Sequence, residues 1–269
     1  AELEPRDWLV VDAPDPLVSE PPPWQERSPA ASDLAYLQYT SGSTSAPRGT
    51  LLTHANLLDN SRATQQAQGS DGSSVSVVWV PAYHDDGLVQ GILQPIFTGY
   101  RCVLMAPEHV IARPASWLEA ITRHRATHSG GPNFVYELCL RKVPDDVRAG
   151  LDLSSWRFAY NAAEPIRWQT LAAFYERFGP AGFRWTTFAP CFGLAEATLM
   201  VTSKNDRAGA TLLPVDGSAL AAGRVRLADR STRDVTTLVG CGMPMGRSRL
   251  AFVQPGTHLR AASDAVGDR

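Results

Sequence analysis

The sequence predicts an α/β fold with mostly parallel sheets flanked by helices. Short apolar runs are bounded by turn-forming residues, and amphipathic stretches of helical length lie between them. Because parallel strands need a crossover connection, this alternation favours a parallel sheet. Strands are expected at residues 34–39, 75–80, 102–105, 157–160 and 250–253, and helices at 55–67, 87–97, 116–124, 133–142 and 166–178.

The elements are distributed unevenly along the chain. Residues 1–33 are rich in proline and lack periodicity, which predicts an extended lead-in, and residues 34–269 carry the alternating elements. Within them, residues 203–236 show no clear periodicity, and a disordered loop is one explanation. The chain of 269 residues is long enough for one large domain or two small ones, and its 44% hydrophobic content supports a substantial core.

Composition excludes several functional classes. A net charge of −2 without a basic stripe argues against binding of nucleic acid. No apolar run approaches the ~20 residues of a membrane helix, and no signal-peptide pattern is present, so a cytoplasmic protein is expected. The four cysteines form no Cys-x-x-Cys pair, which favours reduced thiols over a zinc site or a disulfide framework.

The first predicted strand, expected to be buried, is followed by the hydroxyl- and glycine-rich segment YTSGSTSAPRG at residues 39–49. Glycine allows the backbone to approach a phosphate closely, and Ser and Thr hydroxyls add hydrogen-bond donors. The spacing differs from that of Walker A, because six residues separate Gly42 from Gly49 and no lysine follows. A polar surface loop is the alternative interpretation.

Two helix starts are expected next. Thr53 is predicted to cap a helix opening at residue 55, and Asp86 one opening at residue 87. His84 lies at this second junction of strand and helix, where α/β sheets place their ligands, and an imidazole there could orient a carboxylate. A loop histidine without function is the alternative, as is a metal site formed with Asp85 and Asp86.

Three further segments carry candidate residues. The carboxylate of Glu196, near a phosphate loop, would suit Mg²⁺, although a glutamate also stabilises a first helical turn. Small residues at 161–165 would leave room for a flat base, or form an ordinary strand-end turn. A glycine-rich turn at 130–132 precedes the helix that begins at Asn133 and exposes backbone N–H groups.

Taken together, these segments resemble the fatty acyl-AMP ligases within the adenylate-forming ligases. Residues 39–49 are similar to the phosphate loop of that superfamily, and WVPAYHDDGL at 79–88 resembles the ligases' W-x-P-x-Y-H-D-x-G-L. Blocks at 91–95, 129–134, 153–156, 161–165 and 192–198 follow in the same order. The resemblance covers roughly residues 34–253 and implies an internal part of the large N-terminal domain of the adenylate-forming ligase fold.

The resemblance implies a reaction and a set of site residues. ATP and Mg²⁺ would serve to convert a fatty acid to an acyl-adenylate, and an acyl carrier protein would accept the acyl group. His84 and Arg48 would be catalytic, and Glu196 and Thr40 would hold the metal ion. The other implied residues contact the nucleotide (Thr40, Ser41, Gly42, Ser43, Thr44, Gly49, Ala162, Ala163, Glu164, Phe192, Gly193 and Leu194) or the acyl tunnel (Gly130, Gly131, Pro132 and Asn133).

The sequence also departs from the family pattern. Arg48 replaces a usual lysine, Ser45 and Ala162 replace glycines, Phe192 replaces a tyrosine, and Asp86 stands at a usually apolar position. The family's catalytic lysine is expected in a further C-terminal domain, since neither lysine of this chain has a matching context. Residues 203–236 fall where these ligases carry an insertion that disfavours coenzyme A ligation. An acyl-CoA synthetase, an amino-acid-activating domain and a non-catalytic nucleotide-binding remnant are the alternatives.

Overall fold

The computed structural model describes residues 28–40, 48–204, 208–254, 256–257 and 259–261. Contacts divide the chain between Ala30 and Ala31, and every element below belongs to the second unit. Most of the predicted lead-in, as far as Arg27, lies outside the described residues. No helix in the described part of the chain has both the length and the apolar character needed to cross a membrane.

The described residues form strands and helices in alternation. The strands are β1 (Leu34–Thr40), β2 (Arg48–Thr53), β3 (Val75–Val78), β4 (Arg101–Leu104), β5 (His128–Gly131), β6 (Phe158–Asn161), β7 (Phe188–Pro190), β8 (Phe192–Gly193), β9 (Met200–Ser203), β10 (Thr211–Asp216), β11 (Val235–Gly240) and β12 (Met243–Pro244). The helices are α1 (His54–Gln68), α2 (Asp85–Leu88), α3 (Gln94–Thr98), α4 (Pro107–Ala112), α5 (Ala115–His124), α6 (Asn133–Lys142), α7 (Asp145–Ala149), α8 (Trp168–Phe178) and α9 (Gly217–Ala221).

A parallel five-stranded sheet forms the centre, with strand order β4-β3-β5-β6-β7. This architecture confirms the predicted α/β class. Strands predicted at 75–80, 102–105 and 157–160 are present within one to two residues. The helix predicted at 87–97 is also present, but it contains a π-helical turn, Val89–Leu93, between α2 and α3. Such turns are frequent next to functional sites.

The predicted glycine-rich turn at 130–132 is wrong, because Gly130 and Gly131 belong to the strand β5. Gly130 and Gly131 are buried in the middle of the sheet rather than in a turn that exposes N–H groups. A Cβ at Gly130 would lie 2.2 Å from the Tyr160 carbonyl oxygen, and one at Gly131 would lie 2.5 Å from the Trp79 ring. The indole N–H of Trp79 donates to the Gly130 carbonyl over 2.9 Å. The glycines therefore make room for neighbouring chains and rings.

Outside the central sheet, two predictions were wrong. Residues 34–39 form β1 as expected, but β1 pairs with β2 in an antiparallel hairpin, and the side chains of Leu34, Leu37 and Tyr39 are exposed rather than buried. Residues 250–253 form no strand, since Val253 makes only an isolated bridge with Arg260. Residues 203–236 are more regular than expected, because β10 pairs with β11 and α9 lies between them.

The start of α1 confirms the predicted cap. Thr53 Oγ1 accepts a hydrogen bond from the Asn56 N–H over 3.2 Å, and Asn56 Oδ1 accepts one from the Thr53 N–H over 3.0 Å. This reciprocal arrangement satisfies two backbone donors that a helix start otherwise leaves unpaired. The helix begins at His54, one residue earlier than predicted.

An aromatic cluster forms the main core on one side of the sheet. Trp117, Tyr136, Trp156 and Phe174 are fully buried and pack edge to face, with ring centroids 5.1–6.4 Å apart. Edge-to-face packing places the positive edge of one ring against the negative face of the next. This cluster holds β5 and β6 against α6 and α8. It thereby positions the carboxyl end of the sheet, where the candidate site lies.

The buried imidazole of His128 gives the fold a pH dependence. Burial lowers the pKa of His128 to about 4, below its usual 6.5. Because the folded state then binds fewer protons than the unfolded state between pH 6.5 and 4, the free energy of unfolding falls as pH falls through this window. We expect a loss of roughly 3 kcal/mol from this residue. Urea unfolding between pH 7 and pH 4.5 measures it.

A matched variant isolates the contribution of His128, because other groups titrate in the same window. His128→Gln does not titrate there. The difference in unfolding free energy between the parent protein and this variant should shrink as pH falls. A difference independent of pH would contradict the assigned pKa.

Candidate functional site

One cleft collects residues from separate parts of the chain. Its volume is about 680 Å³. It lies beyond the carboxyl ends of β6 and β7, which is where α/β sheets place ligands. The described residues that line it come from the segments 38–39, 83–86, 160–163 and 191–200. Three of the segments identified from sequence, those around His84, Ala162 and Glu196, thus meet in one concave surface.

His84 is the N-cap residue of α2 and lines the cleft with about half of its side chain exposed. Its Nδ1 lies 2.6 Å from Asp85 Oδ1, and this hydrogen bond raises the pKa of His84. Burial works against the rise, and the charges of Asp85 and Asp86 add to it. The short contact assigns a proton to Nδ1, so Nε2 is left for a ligand.

The predicted cap by Asp86 is wrong. The helix begins at Asp85, and the Asp86 N–H is accepted by Asp85 Oδ1 over 2.8 Å, with His84 Nδ1 3.2 Å away. The Asp86 side chain instead lines the cleft. Burial raises its pKa to about 7, and the neighbouring His84 imidazole and Tyr160 hydroxyl oppose the rise. Sequence analysis missed the position of the Asp86 side chain because the helix begins two residues earlier than predicted.

The segment 192–196 enters the cleft as a strand and a turn. Phe192 and Gly193 form β8, and Glu196 lies in the 3-10 turn Ala195–Ala197. Phe192, Gly193, Leu194 and Glu196 all line the cleft. A Cβ at Gly193 would lie 2.0 Å from the Leu199 carbonyl oxygen, so only glycine fits where the chain folds back. The glycine thus holds the turn that carries Glu196 in place.

The segment after β6 divides into two parts. Ala162 and Ala163 line the cleft, and Ala163 has a φ of +70°, a left-handed conformation that is strained for alanine. Glu164 does not line the cleft, because its Oε1 accepts the Phe134 N–H over 2.6 Å at the start of α6. The nucleotide contact of Glu164 stays a prediction.

The predicted tunnel residues lie elsewhere in the fold. Gly130, Gly131, Pro132 and Asn133 are absent from the cleft lining. Asn133 is 3% exposed, and its amide group donates to Glu137 and Thr170 and accepts the Arg167 N–H. These bonds tie α6 to α8. The acyl-tunnel role of these four residues stays a prediction.

The hairpin β1–β2 approaches the cleft from the side. Gln38 and Tyr39 line it, and Gln38 Nε2 donates to the Tyr83 carbonyl over 3.4 Å. Thr40 pairs with Arg48 at the end of the hairpin, and Gly49 lies under the Tyr39 ring. Arg48 is exposed and does not line the cleft. Four predicted phosphate-loop residues lie outside the described residues: Ser41, Gly42, Ser43 and Thr44.

The cleft suits a nucleotide with its metal ion. Among the described residues no group of three or more metal-binding side chains exists. Mg²⁺ does not require one, because it commonly uses one or two carboxylates together with phosphate oxygens. The carboxylate of Glu196 lies in the cleft, as this donor set requires, and the small side chains of Ala162 and Ala163 leave room for a flat base. The residues present therefore fit both groups.

The fold and cleft correspond to a known class. The chain belongs to the family of AMP-binding enzymes, whose sequence profile matches residues 3–242. A solved fatty acyl-adenylate ligase from L. pneumophila, in complex with acyl adenylate and pyrophosphate, has a TM-score of 0.84 at 39% identity. That similarity covers 90% of this chain and 42% of the other, and it confirms the predicted adenylate-forming ligase fold.

Two relatives are similar in sequence. The medium-chain fatty acid–acyl carrier protein ligase JamA of Moorena producens is 42% identical over 270 residues, which cover 100% of this chain and 45% of that protein. TtuA of Teredinibacter turnerae, also a medium-chain fatty acid–acyl carrier protein ligase, is 39% identical over 243 residues, which cover 90% of this chain and 38% of that protein. The chain thus spans less than half the length of these relatives.

Sequence reasoning missed some residues that line the cleft. Tyr160 and Met200 lie within strands, and Tyr83 precedes His84. Tyr160 belonged to a predicted strand, but no local signal indicates which face of the sheet its side chain occupies. The motif at 161–165 directly follows Tyr160 and could have drawn attention to this residue, since residues at the end of a parallel strand border the ligand site.

Proposed function

We propose that this chain is part of an ATP-dependent ligase that activates a fatty acid as an acyl-adenylate and passes it to an acyl carrier protein. The observation that carries the proposal is the convergence of His84, Phe192 and Glu196 on one cleft. The activities of the relatives JamA and TtuA support the choice of a fatty acid as substrate and of a carrier protein as acceptor. The same cleft would also suit coenzyme A or amino-acid ligation, so the choice among these reactions rests on JamA and TtuA.

The reaction joins two anions. A carboxylate oxygen of the fatty acid attacks the α-phosphorus of ATP, and the bond to pyrophosphate breaks. The repulsion between the two reactants is the main barrier to bringing them in line. Mg²⁺, held by Glu196 and Thr40 together with phosphate oxygens, would neutralise part of this charge.

His84 supplies a second neutralising group. Its raised pKa increases the protonated fraction near neutral pH, and Asp85 fixes the ring through Nδ1. The imidazolium Nε2–H could then donate to the incoming carboxylate and hold it for attack. Phe192 offers an aromatic face against which a base can stack. We assign Arg48, Gly49 and the hydroxyl-rich segment before them to the phosphates, by resemblance alone.

The test uses this chain joined to the expected lysine-bearing C-terminal domain. It measures carboxylate-dependent exchange of pyrophosphate into ATP, followed by hydroxylamine trapping across fatty, aryl and amino acids. We expect exchange with medium-chain fatty acids and a hydroxamate product only from those. Transfer of the acyl group to a carrier protein, but not to coenzyme A, would separate the proposal from an acyl-CoA synthetase. No exchange above background with any acid would instead indicate a non-catalytic remnant.

A further inference from the structure

Asn60 of α1 contacts the turn that carries Glu196. Its Nδ2 donates a hydrogen bond to the Met200 carbonyl over 2.8 Å and one to the Ala197 carbonyl over 3.3 Å. Among the described residues, no other side chain hydrogen-bonds to the backbone of residues 194–200. Both partners are carbonyl oxygens, so only a side chain with N–H or O–H donors can make these bonds. The Asn60 amide thus links α1 directly to this turn.

The backbone of this turn is strained at Thr198. Its φ of +76° and ψ of −57° lie outside the regions that a β-branched residue normally adopts. Such a conformation costs free energy and persists only where the surrounding structure fixes it. A local hydrogen bond contributes, since the Thr198 N–H donates to the Ala195 carbonyl over 2.9 Å. The two carbonyls bound by Asn60 lie on either side of Thr198, so its amide holds both ends of the strained segment.

We propose that Asn60 is a positioning residue for Glu196. This inference rests on the proposed function, because it concerns the carboxylate assigned to the metal ion. The Glu196 side chain is exposed at the cleft, so the backbone of its turn, rather than packing around the side chain, sets where the carboxylate lies. Without the Asn60 amide, Thr198 can relax to a negative φ, and this rotation displaces residues 195–197 together with the carboxylate.

The first test measures carboxylate-dependent exchange of pyrophosphate into ATP at several Mg²⁺ concentrations, in this chain joined to the lysine-bearing C-terminal domain. Asn60→Asp keeps the size of the side chain, but its carboxylate only accepts hydrogen bonds. We expect a rate at least about tenfold lower and a higher Mg²⁺ concentration at half the maximal rate. Gln66→Ala removes an exposed amide from the same helix and should keep the rate within about twofold. A lower rate in Asn60→Asp with an unchanged Mg²⁺ requirement would contradict the positioning role.

A second substitution shows whether Asn60 acts through Glu196. In Glu196→Gln the metal-binding charge is absent, so adding Asn60→Ala should lower the remaining rate by less than about twofold. In the parent protein the same Asn60→Ala change should lower the rate at least about tenfold. A role in packing alone would instead lower the rate by the same factor in both backgrounds. Equal factors would overturn the inference and leave the proposed function intact.

Hydrogen–deuterium exchange of the 269-residue chain, without nucleotide or metal ion, gives a readout that does not depend on activity. Asn60→Ala should speed hydrogen exchange of the Ala197 and Thr198 amides at least about tenfold, because their hydrogen bonds lie within the released turn. Glycine adopts a positive φ without strain, so adding Thr198→Gly should restore most of the protection at Ala197. Unchanged hydrogen exchange in Asn60→Ala would overturn the inference alone. A parent protein without pyrophosphate exchange would contradict the proposed function and with it the role assigned to Asn60.

Discussion

Replacing Glu196 with alanine is expected to lower the rate of acyl-adenylate formation by about 10²–10³-fold, because it removes the carboxylate that would hold the metal ion among the phosphates. Glu196 lies in a short turn at the rim of the cleft, so its removal leaves the buried core unchanged. Carboxylate-dependent exchange of pyrophosphate into ATP, measured over a range of Mg²⁺ concentrations, gives the rate.

A matched control tests whether this effect is local. Glu108→Ala removes an exposed glutamate from the first turn of α4, away from the cleft, and should leave the exchange rate within twofold of the parent rate. Glu196→Gln keeps the shape but not the charge and should be nearly as slow as the alanine variant. A normal rate in both Glu196 variants would contradict the metal assignment.

Replacing Gly87 with alanine is expected to disrupt both the site and the fold around it. A Cβ at this position would lie 2.0 Å from the Pro81 carbonyl oxygen and 2.5 Å from that of Val80. Backbone atoms cannot move aside cheaply, so the start of α2 must shift, and the side chains of His84 and Asp86 shift with it. We expect a loss of about 1–3 kcal/mol in the free energy of unfolding.

The same change should reduce the exchange rate by at least about 100-fold, because a displacement of about 1 Å at a positioning residue can cost this much. Urea unfolding and pyrophosphate exchange on the same sample measure the two effects. Gly150→Ala is the control, since the nearest atom to its Cβ would be 3.6 Å away and its φ of −91° suits alanine. Wild-type stability and rate in Gly87→Ala would contradict the described packing of α2.

The fold could be predicted from sequence where local composition carries the signal. β3 contains Val75, Val77 and Val78, and α5 and α8 show clear amphipathic periodicity. β5 has the sequence HSGG, which lacks β-branched residues, and it is a strand because it lies between β3 and β6. Its glycines are required because any larger side chain would collide with the rings of Trp79 and Tyr160, which are distant in sequence.

The candidate site was predictable only in part, for a similar reason. Motifs that are continuous in sequence, such as 192–196, could be recognised as units. The direction of each side chain depends on tertiary packing. Glu164 turns toward α6, Tyr160 faces the cleft, and Asp86 enters the cleft because His84 and Asp85 occupy the cap. No pattern within a single segment contains that information.

The central claim is that separate motifs surround one adenylate in one cleft. Hydrogen–deuterium exchange of the chain, with and without a non-hydrolysable acyl sulfamoyl-adenosine, tests it most directly. We expect slower exchange on binding at residues 83–86 and 192–199, and little change near the separate groove at Asp216 and Arg226. Saturating binding that leaves both cleft segments unprotected, or that protects the Asp216 groove instead, would contradict the claim.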